Sequence, residues 1–236
     1  MDRFNRLKAS HLLNYVQRIA GDHCQLLGTT REVLLEKNLF WAVIRHRVQI
    51  TRLPKADETI TIETWPMPTT RTAFPRSCVA YDAEGNECFR SISLWVLMDL
   101  SSRALILPGK CDVAVEGVLR GCELTPPSSL IPKAFSSRCG RTVRFTDLDW
   151  NGHMNTCRYL DWVCDILPSS FHEGHSLKDF TICYLAEAVE GDTLSLDWEL
   201  DNEGALAVNA GRDSQDASAG HSRVFAAKIL FENGVL

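Results

Sequence analysis

No apolar run in the 236 residues approaches the ~20 needed for a membrane-spanning helix, so the sequence excludes a bilayer-crossing segment of that kind. Basic runs and basic helices are missing as well. With a net charge of −5 and a pI near 5.8, nucleic acid is excluded as the main partner, although local basic patches remain. The N-terminal MDRFNRLKAS has neither a signal-peptide core nor a Ser/Arg-rich transit segment, which sets the expectation of a cytoplasmic protein. The nine cysteines include no C-x-x-C pair, and Cys78, Cys164 and Cys183 sit inside apolar strings; they read as reduced core thiols. His172-Glu-Gly-His175 is a poor zinc motif, because no Cys or His is spaced to fill the metal's other positions. No metal and no cofactor are expected.

What is there is ordinary globular text, 45% hydrophobic and 23% charged, long enough for one large domain or two small ones. From Ala9 to Leu27, Leu12, Val16, Ile19 and Ala20 share one face of a predicted helix with Ser10 as its cap. Strands are predicted over Phe40–Leu53, Thr59–Trp65, Ser77–Tyr81 and Cys88–Met98, the last two joined by a turn at Asp82-Ala-Glu-Gly. Periodicity then fades through a Pro-punctuated crossing. Beyond it, strands return at Phe180–Leu185, Thr193–Leu200, Ala205–Asn209 and Val224–Phe231, with a turn at Asp201-Asn-Glu-Gly and a polar loop over 212–220. The second half repeats the first: ADETITIETW resembles EGDTLSLDWE, and His11 falls on His153. In that alignment Leu7, Ala9 and Leu53 occupy the places of Asp149, Asn151 and Glu187, so one site per chain is expected, in the C-terminal half. A helix followed by an antiparallel sheet, twice, is an α+β chain.

Chemistry concentrates in FTDLDWNGHMNTCRYLDW, Phe145 to Trp162, where Asp147, Asp149, Asn151, His153 and Asn155 precede an apolar pattern of Tyr159, Trp162, Val163 and Ile166 at helical spacing. A helix is predicted from Gly152 on. The polar cluster would then lie at its N-terminus, where unpaired N–H groups suit an oxyanion and the dipole disfavours a protonated His153. A second reading of the same letters is structural: Asp149 or Asn151 caps, His153 packs, and Asn-Gly turns.

The segment resembles the signature of the acyl-ACP thioesterases, roughly D-x-N-x-H-V-N-N-x-x-Y-x-x-W, which stands here as Asp149, Asn151, His153, Met154, Asn155, Thr156, Tyr159 and Trp162. Met154 replaces the Val and Thr156 the second Asn. The family's later Y-R-R-E-C is similar to Tyr184, Leu185, Ala186, Glu187 and Ala188, with the Glu kept and the Cys replaced. This resemblance implies two tandem hotdog domains, each an antiparallel sheet wrapped around a long central helix. The expected division is an N-terminal domain over 1–118, which binds the acyl chain and has lost the chemistry, linker over 119–136, and a catalytic domain over 137–236. The implied activity is hydrolysis of a fatty acyl thioester on acyl carrier protein. Asp149, Asn151, His153 and Glu187 are the implied catalytic set: Glu187, raised in pKa by an apolar pocket, takes a proton from water, His153 and Asn151 orient water and thioester, and Asp149 fixes the Asn and His side chains. The roles of His153 and Glu187 are interchangeable on this basis. Leu12, Leu13 and Val16 are candidates for the blind end of an acyl tunnel, and Arg138, Arg141, Arg144 and Arg158 for docking the acidic carrier. Acyl-CoA as the substrate, a non-catalytic acyl-binding module and a homodimer stay open.

Overall fold

The computed structural model describes residues 1–120, 124–131, 133, 135–212 and 222–233. The polar loop expected over 212–220 lies, beyond Arg212, outside these residues, as do parts of the 119–136 linker. The chain divides into two compact units, one of Met1–Leu7 with Leu12–Pro127, the other of Lys8–His11 with Ser128–Leu236.

The first helix, α1, spans Ala9–Leu26 as its periodicity predicts. Ser10 does not cap it: the residue lies within the helix, 1% exposed, and its hydroxyl has no partner among the described residues. A short α2, Arg31–Glu36, does have a cap, the Thr30 hydroxyl accepting from the Val33 N–H at 3.4 Å. Strands β1 (Leu39–Ile50), β2 (Thr61–Pro66), β3 (Phe74–Tyr81) and β4 (Glu87–Asp99) pair antiparallel in the order β2-β3-β4-β1, with a two-residue β5 (Leu105–Ile106) added to β4. Alternation along β4 assigns its faces. Ile92, Leu94 and Val96 pack with Ala73 and Leu124, while Leu97 joins Leu34, Phe74 and Val113. Full burial of side chains of this kind is worth about 1.5–3 kcal/mol each, which is how a chain with this much loop holds its sheet.

The second unit runs β6 (Ser137–Thr142), α3 (Arg158–Cys164), α4 (Ser169–Gly174), β7 (His175–Tyr184), β8 (Thr193–Leu200), β9 (Ala205–Arg212) and β10 (Ser222–Asn233). Its strands pair as β7-β10-β9-β8-β6. Matching β7, β8, β9 and β10 to β1, β2, β3 and β4 gives one order for both units, so the repeat read from the letters is a repeat of topology. Helix α3 buries Tyr159, Leu160, Trp162 and Val163, with Tyr159 against Phe225 at 4.8 Å and near Tyr184 at 5.7 Å. The expected long helix from Gly152 is corrected here: α3 has seven residues and begins at Arg158. Residues 148–154 cannot be helical because Leu148 bridges Met154 and His153 bridges Val189 as extended chain, and the Asn155 carboxamide oxygen captures the Cys157 N–H at 2.9 Å.

Candidate active site

Asp149 to His153 is a tight hairpin turn. The Asp149 N–H donates to the His153 carbonyl at 2.7 Å, the Gly152 N–H to the Asp149 carbonyl at 3.1 Å, and the Asp149 Oδ1 accepts from the N–H groups of Asn151 (2.8 Å) and His153 (3.2 Å). Gly152 sits at φ +80°, a conformation that glycine adopts without steric cost. The same pattern recurs at Asp82–Asn86 and Asp201–Ala205, with Gly85 at φ +84° and Gly204 at +80°. Asp149 therefore builds the turn. It fixes the backbone of Asn151 and His153 rather than clamping both side chains, although the Asn151 Nδ2 lies 3.5 Å from its Oδ2.

The turn also withdraws one expectation. The backbone N–H groups of Asn151 and His153 go to Asp149, that of Gly152 to the Asp149 carbonyl, Met154 to the Ala188 carbonyl at 2.7 Å and Asn155 to the Asp147 carbonyl at 2.8 Å. With those donors committed and α3 starting five residues after His153, a helix N-terminus does not supply an oxyanion site at this cluster, and its dipole does not act on His153.

Strand β7 ends at Tyr184, where the Leu185 and Ala186 N–H groups both bond the Val224 carbonyl, at 2.8 and 3.1 Å. That doubled contact bends the chain out of the sheet and brings Glu187 to the turn: its Oε2 lies 3.5 Å from the His153 Nε2. Glu187 keeps 51% of its side-chain exposure and His153 27%, so the apolar enclosure expected around Glu187 is not part of this chain's own packing. Ala188, fully buried, hydrogen-bonds Met154 through its carbonyl and Tyr159 through its backbone, tying the His153 and Glu187 segments together. His153 and Glu187 are thus brought together from two segments, while Asp149 and Asn151 share the turn itself.

Burial pushes the Cys157 thiol up to about 12, and the side chain is 1% exposed. A protonated, enclosed thiol is a poor nucleophile. Cys157→Ser is expected to leave turnover within about twofold, with mass spectrometry finding no acyl group on any cysteine; an acyl-cysteine adduct would refute one-step hydrolysis by water. His172 and His175 spend ring nitrogens on the Cys164 and Phe171 carbonyls, at 2.9 and 2.8 Å.

The four arginines are placed less simply. Arg138 pairs with Asp197 at 2.5 Å, Arg141 with Asp165 at 2.6 Å while lying over the Trp162 ring, and Arg158 with Asp161 at 2.9 Å. Arg144 is exposed; its backbone N–H donates to the Asp147 carboxylate at 3.0 Å, and its guanidinium has no carboxylate partner among the described residues; beside the turn, Phe145 and Trp150 are 79% and 75% exposed. Leu12, Leu13 and Val16 are fully buried on α1. Sequence reasoning missed Arg212 and Asp192. The Arg212 guanidinium bonds both the Asp192 carboxylate and the Glu187 carbonyl, each at 2.6 Å, and only a fold that brings β9 beside the Glu187 segment could reveal it.

Residues 1–107 match the family model of the acyl-ACP thioesterase N-terminal domain and residues 132–224 that of its C-terminal domain. A palmitoyl-acyl carrier protein thioesterase, chloroplastic, of Gossypium hirsutum is 28% identical over 85% of this chain and 52% of its own length. For an oleoyl-acyl carrier protein thioesterase, chloroplastic, of Coriandrum sativum the values are 27%, 93% and 65%. The chain thus spans half to two thirds of these relatives. An acyl-ACP thioesterase from Bacteroides thetaiotaomicron superposes with a TM-score of 0.88 at 25% identity, covering 98% of this chain and 93% of that one. The 12:0-ACP thioesterase from Umbellularia californica shares the fold, with a TM-score of 0.80 at 23% identity over 99% and 93%.

Proposed function

The chain belongs to the acyl-ACP thioesterase family, a tandem hotdog α+β fold, and from that premise we propose that it hydrolyses fatty acyl thioesters carried on acyl carrier protein. The observation that carries the reading is the approach of the His153 Nε2 to the Glu187 Oε2, 3.5 Å, on two segments joined through Ala188. At that separation one water can be held by both groups. In the proposed step its oxygen attacks the thioester carbon while its proton passes to Glu187, or to His153 if the two exchange roles. The tetrahedral intermediate then expels the pantetheine thiolate, which recovers a proton, and fatty acid and thiol are released. Because a thiolate leaves readily, no strong general acid is required. The Asn151 carboxamide, held on the turn, is assigned to the developing oxyanion.

The carrier is assigned to an acidic protein on the same premise, and Arg144 is the docking cation the structure favours, since its three companions are neutralised by aspartates. We infer a reducing, cytoplasmic setting from how the thiols are used: Cys78, Cys88, Cys157 and Cys183 are buried as small core side chains.

A thiol-release assay with acyl-ACP, acyl-CoA and acyl-pantetheine side by side tests the reading. Hydrolysis of acyl-ACP with the lowest KM is expected. Arg144→Glu should raise that KM several-fold and leave acyl-pantetheine unchanged, and added salt should weaken the carrier reaction as charges are screened over the ~8–10 Å Debye length. Turnover of acyl-CoA alone would remove the carrier, and turnover of none would remove the hydrolase.

A further inference from the structure

We propose that Arg212 is a positioning residue for this hydrolysis, acting with Asp192 to lock the segment that presents Glu187; the inference rests on the thioesterase reading. Arg212 closes β9, and its Nη2 has two commitments, the Asp192 Oδ2 and the Glu187 carbonyl oxygen, each at 2.6 Å, while its Nε donates to the same Asp192 oxygen at 3.1 Å. That Asp192 oxygen also accepts the Val189 N–H at 3.0 Å. Its backbone is anchored in turn: the Val143 N–H donates to the Asp192 carbonyl at 2.9 Å, and the Gly191 N–H returns to the Val143 carbonyl at 3.0 Å. One guanidinium thus gathers the start and the end of the 187–192 turn.

The geometry matters because the Glu187 carboxylate has to be presented where it meets His153. The Glu187 side chain is half exposed, and its N-terminal neighbours have just left the sheet at the doubled Val224 contact. The 3.5 Å approach to His153 depends on where the backbone lies, and that backbone is held by Ala188 on one side and Arg212 on the other. The pair is firm by its own chemistry. A charge-assisted contact through two nitrogens resists rotation, and Arg212 holds the Asp192 carboxyl below the usual carboxylate range, chiefly through this hydrogen bond. Lysine at this position keeps the charge but brings one nitrogen where two are used.

The test is made on the full chain with Arg212→Ala, Arg212→Lys and Asp192→Asn. For Arg212→Ala a fall in kcat of roughly 10–100-fold with KM for acyl-pantetheine unchanged is expected, and smaller falls for the other two. Amide hydrogen exchange should rise at Val189 and Met154 in Arg212→Ala while the melting temperature stays near that of the parent. In a Glu187→Ala background, Arg212→Ala should cost no further rate, since a residue that acts through Glu187 has nothing left to position. Unchanged kcat in Arg212→Ala overturns the proposal, and so does a loss that multiplies with Glu187→Ala. Should Arg212→Ala not fold, Asp192→Asn with full turnover and unchanged exchange does the same. The exchange measurement needs no turnover, so an inactive parent would refute the thioesterase reading without touching the clamp.

Discussion

Glu187→Ala and His153→Ala are each expected to lower kcat by roughly 10²–10⁴ with the fold intact, and Asn151→Ala by an amount toward the lower end of that range. Neither Glu187 nor His153 is core: at 51% and 27% exposure their side chains contribute little to stability, so circular dichroism and melting temperature should hold while turnover falls. Since both groups are assigned to one water, their losses should not multiply. The double variant is expected near the slower single variant, as for residues acting as a unit. Steady-state kinetics on acyl-ACP checks this, and Glu187→Ala with near-full turnover would remove the carboxylate from the mechanism. Exposure also bears on how the base works. Without enclosure by the protein, the desolvation that sharpens a carboxylate base has to come from the acyl thioester as it covers the site.

Acid stability should depend on a residue outside the proposed catalytic set. His46 on β1 is fully buried, its Nδ1 2.7 Å from the Ser93 hydroxyl and its Nε2 3.5 Å from the Gln17 amide nitrogen, and burial lowers its pKa to about 3 from the model-compound value of 6.5. The direction follows from proton counting. Between these values the unfolded chain binds a proton that the folded chain refuses, so the stabilisation is intact above pH 6.5 and is lost as pH falls toward 3. Over that window the loss amounts to several kcal/mol, at about 1.36 kcal/mol per unit. His23 adds to it in the same direction, through burial first and the Arg76 guanidinium 2.9 Å from its Nδ1 second. Urea unfolding at pH 7 and pH 4 should show His46→Asn less stable than the parent at pH 7 and distinctly less sensitive to acid. Equal pH slopes in the two proteins would place the acid sensitivity in the carboxylates instead.

The sheet was legible because alternation is a local signal. Thr61–Pro66 and Thr193–Leu200 announce themselves in period two, and the equivalent strand orders confirm the repeat drawn from those letters. Strand β6 was harder to read: Ser137–Thr142 pairs along one edge and buries little, so its arginines alternating with small residues suit an exposed strand and plain surface charge alike. The helix start was misplaced for a different reason. Apolar spacing reports which residues face the core, not where the backbone first becomes helical, and the carboxylate of Asp149 and carboxamide of Asn155 had already claimed the N–H groups that a longer helix would need. His153 and Glu187 could be matched because the family motifs name both residue types. Arg212 could not, since its contact with Glu187 spans 25 positions and engages a backbone carbonyl, which leaves no trace in side-chain identity.

The turn that carries His153 is built like those at Asp82–Asn86 and Asp201–Ala205, so form and reactivity are spelled by different letters within five positions. Aspartate first and glycine fourth dictate the form. The third and fifth places, which hold the proposed Asn151 and His153 in one copy, are filled by Glu84 and Asn86 in the second and by Glu203 and Ala205 in the third. A protein engineer could therefore treat these turns as interchangeable sockets: randomising positions 150, 151 and 153 between a fixed Asp149 and Gly152 would explore new reagents opposite Glu187 without redrawing the loop.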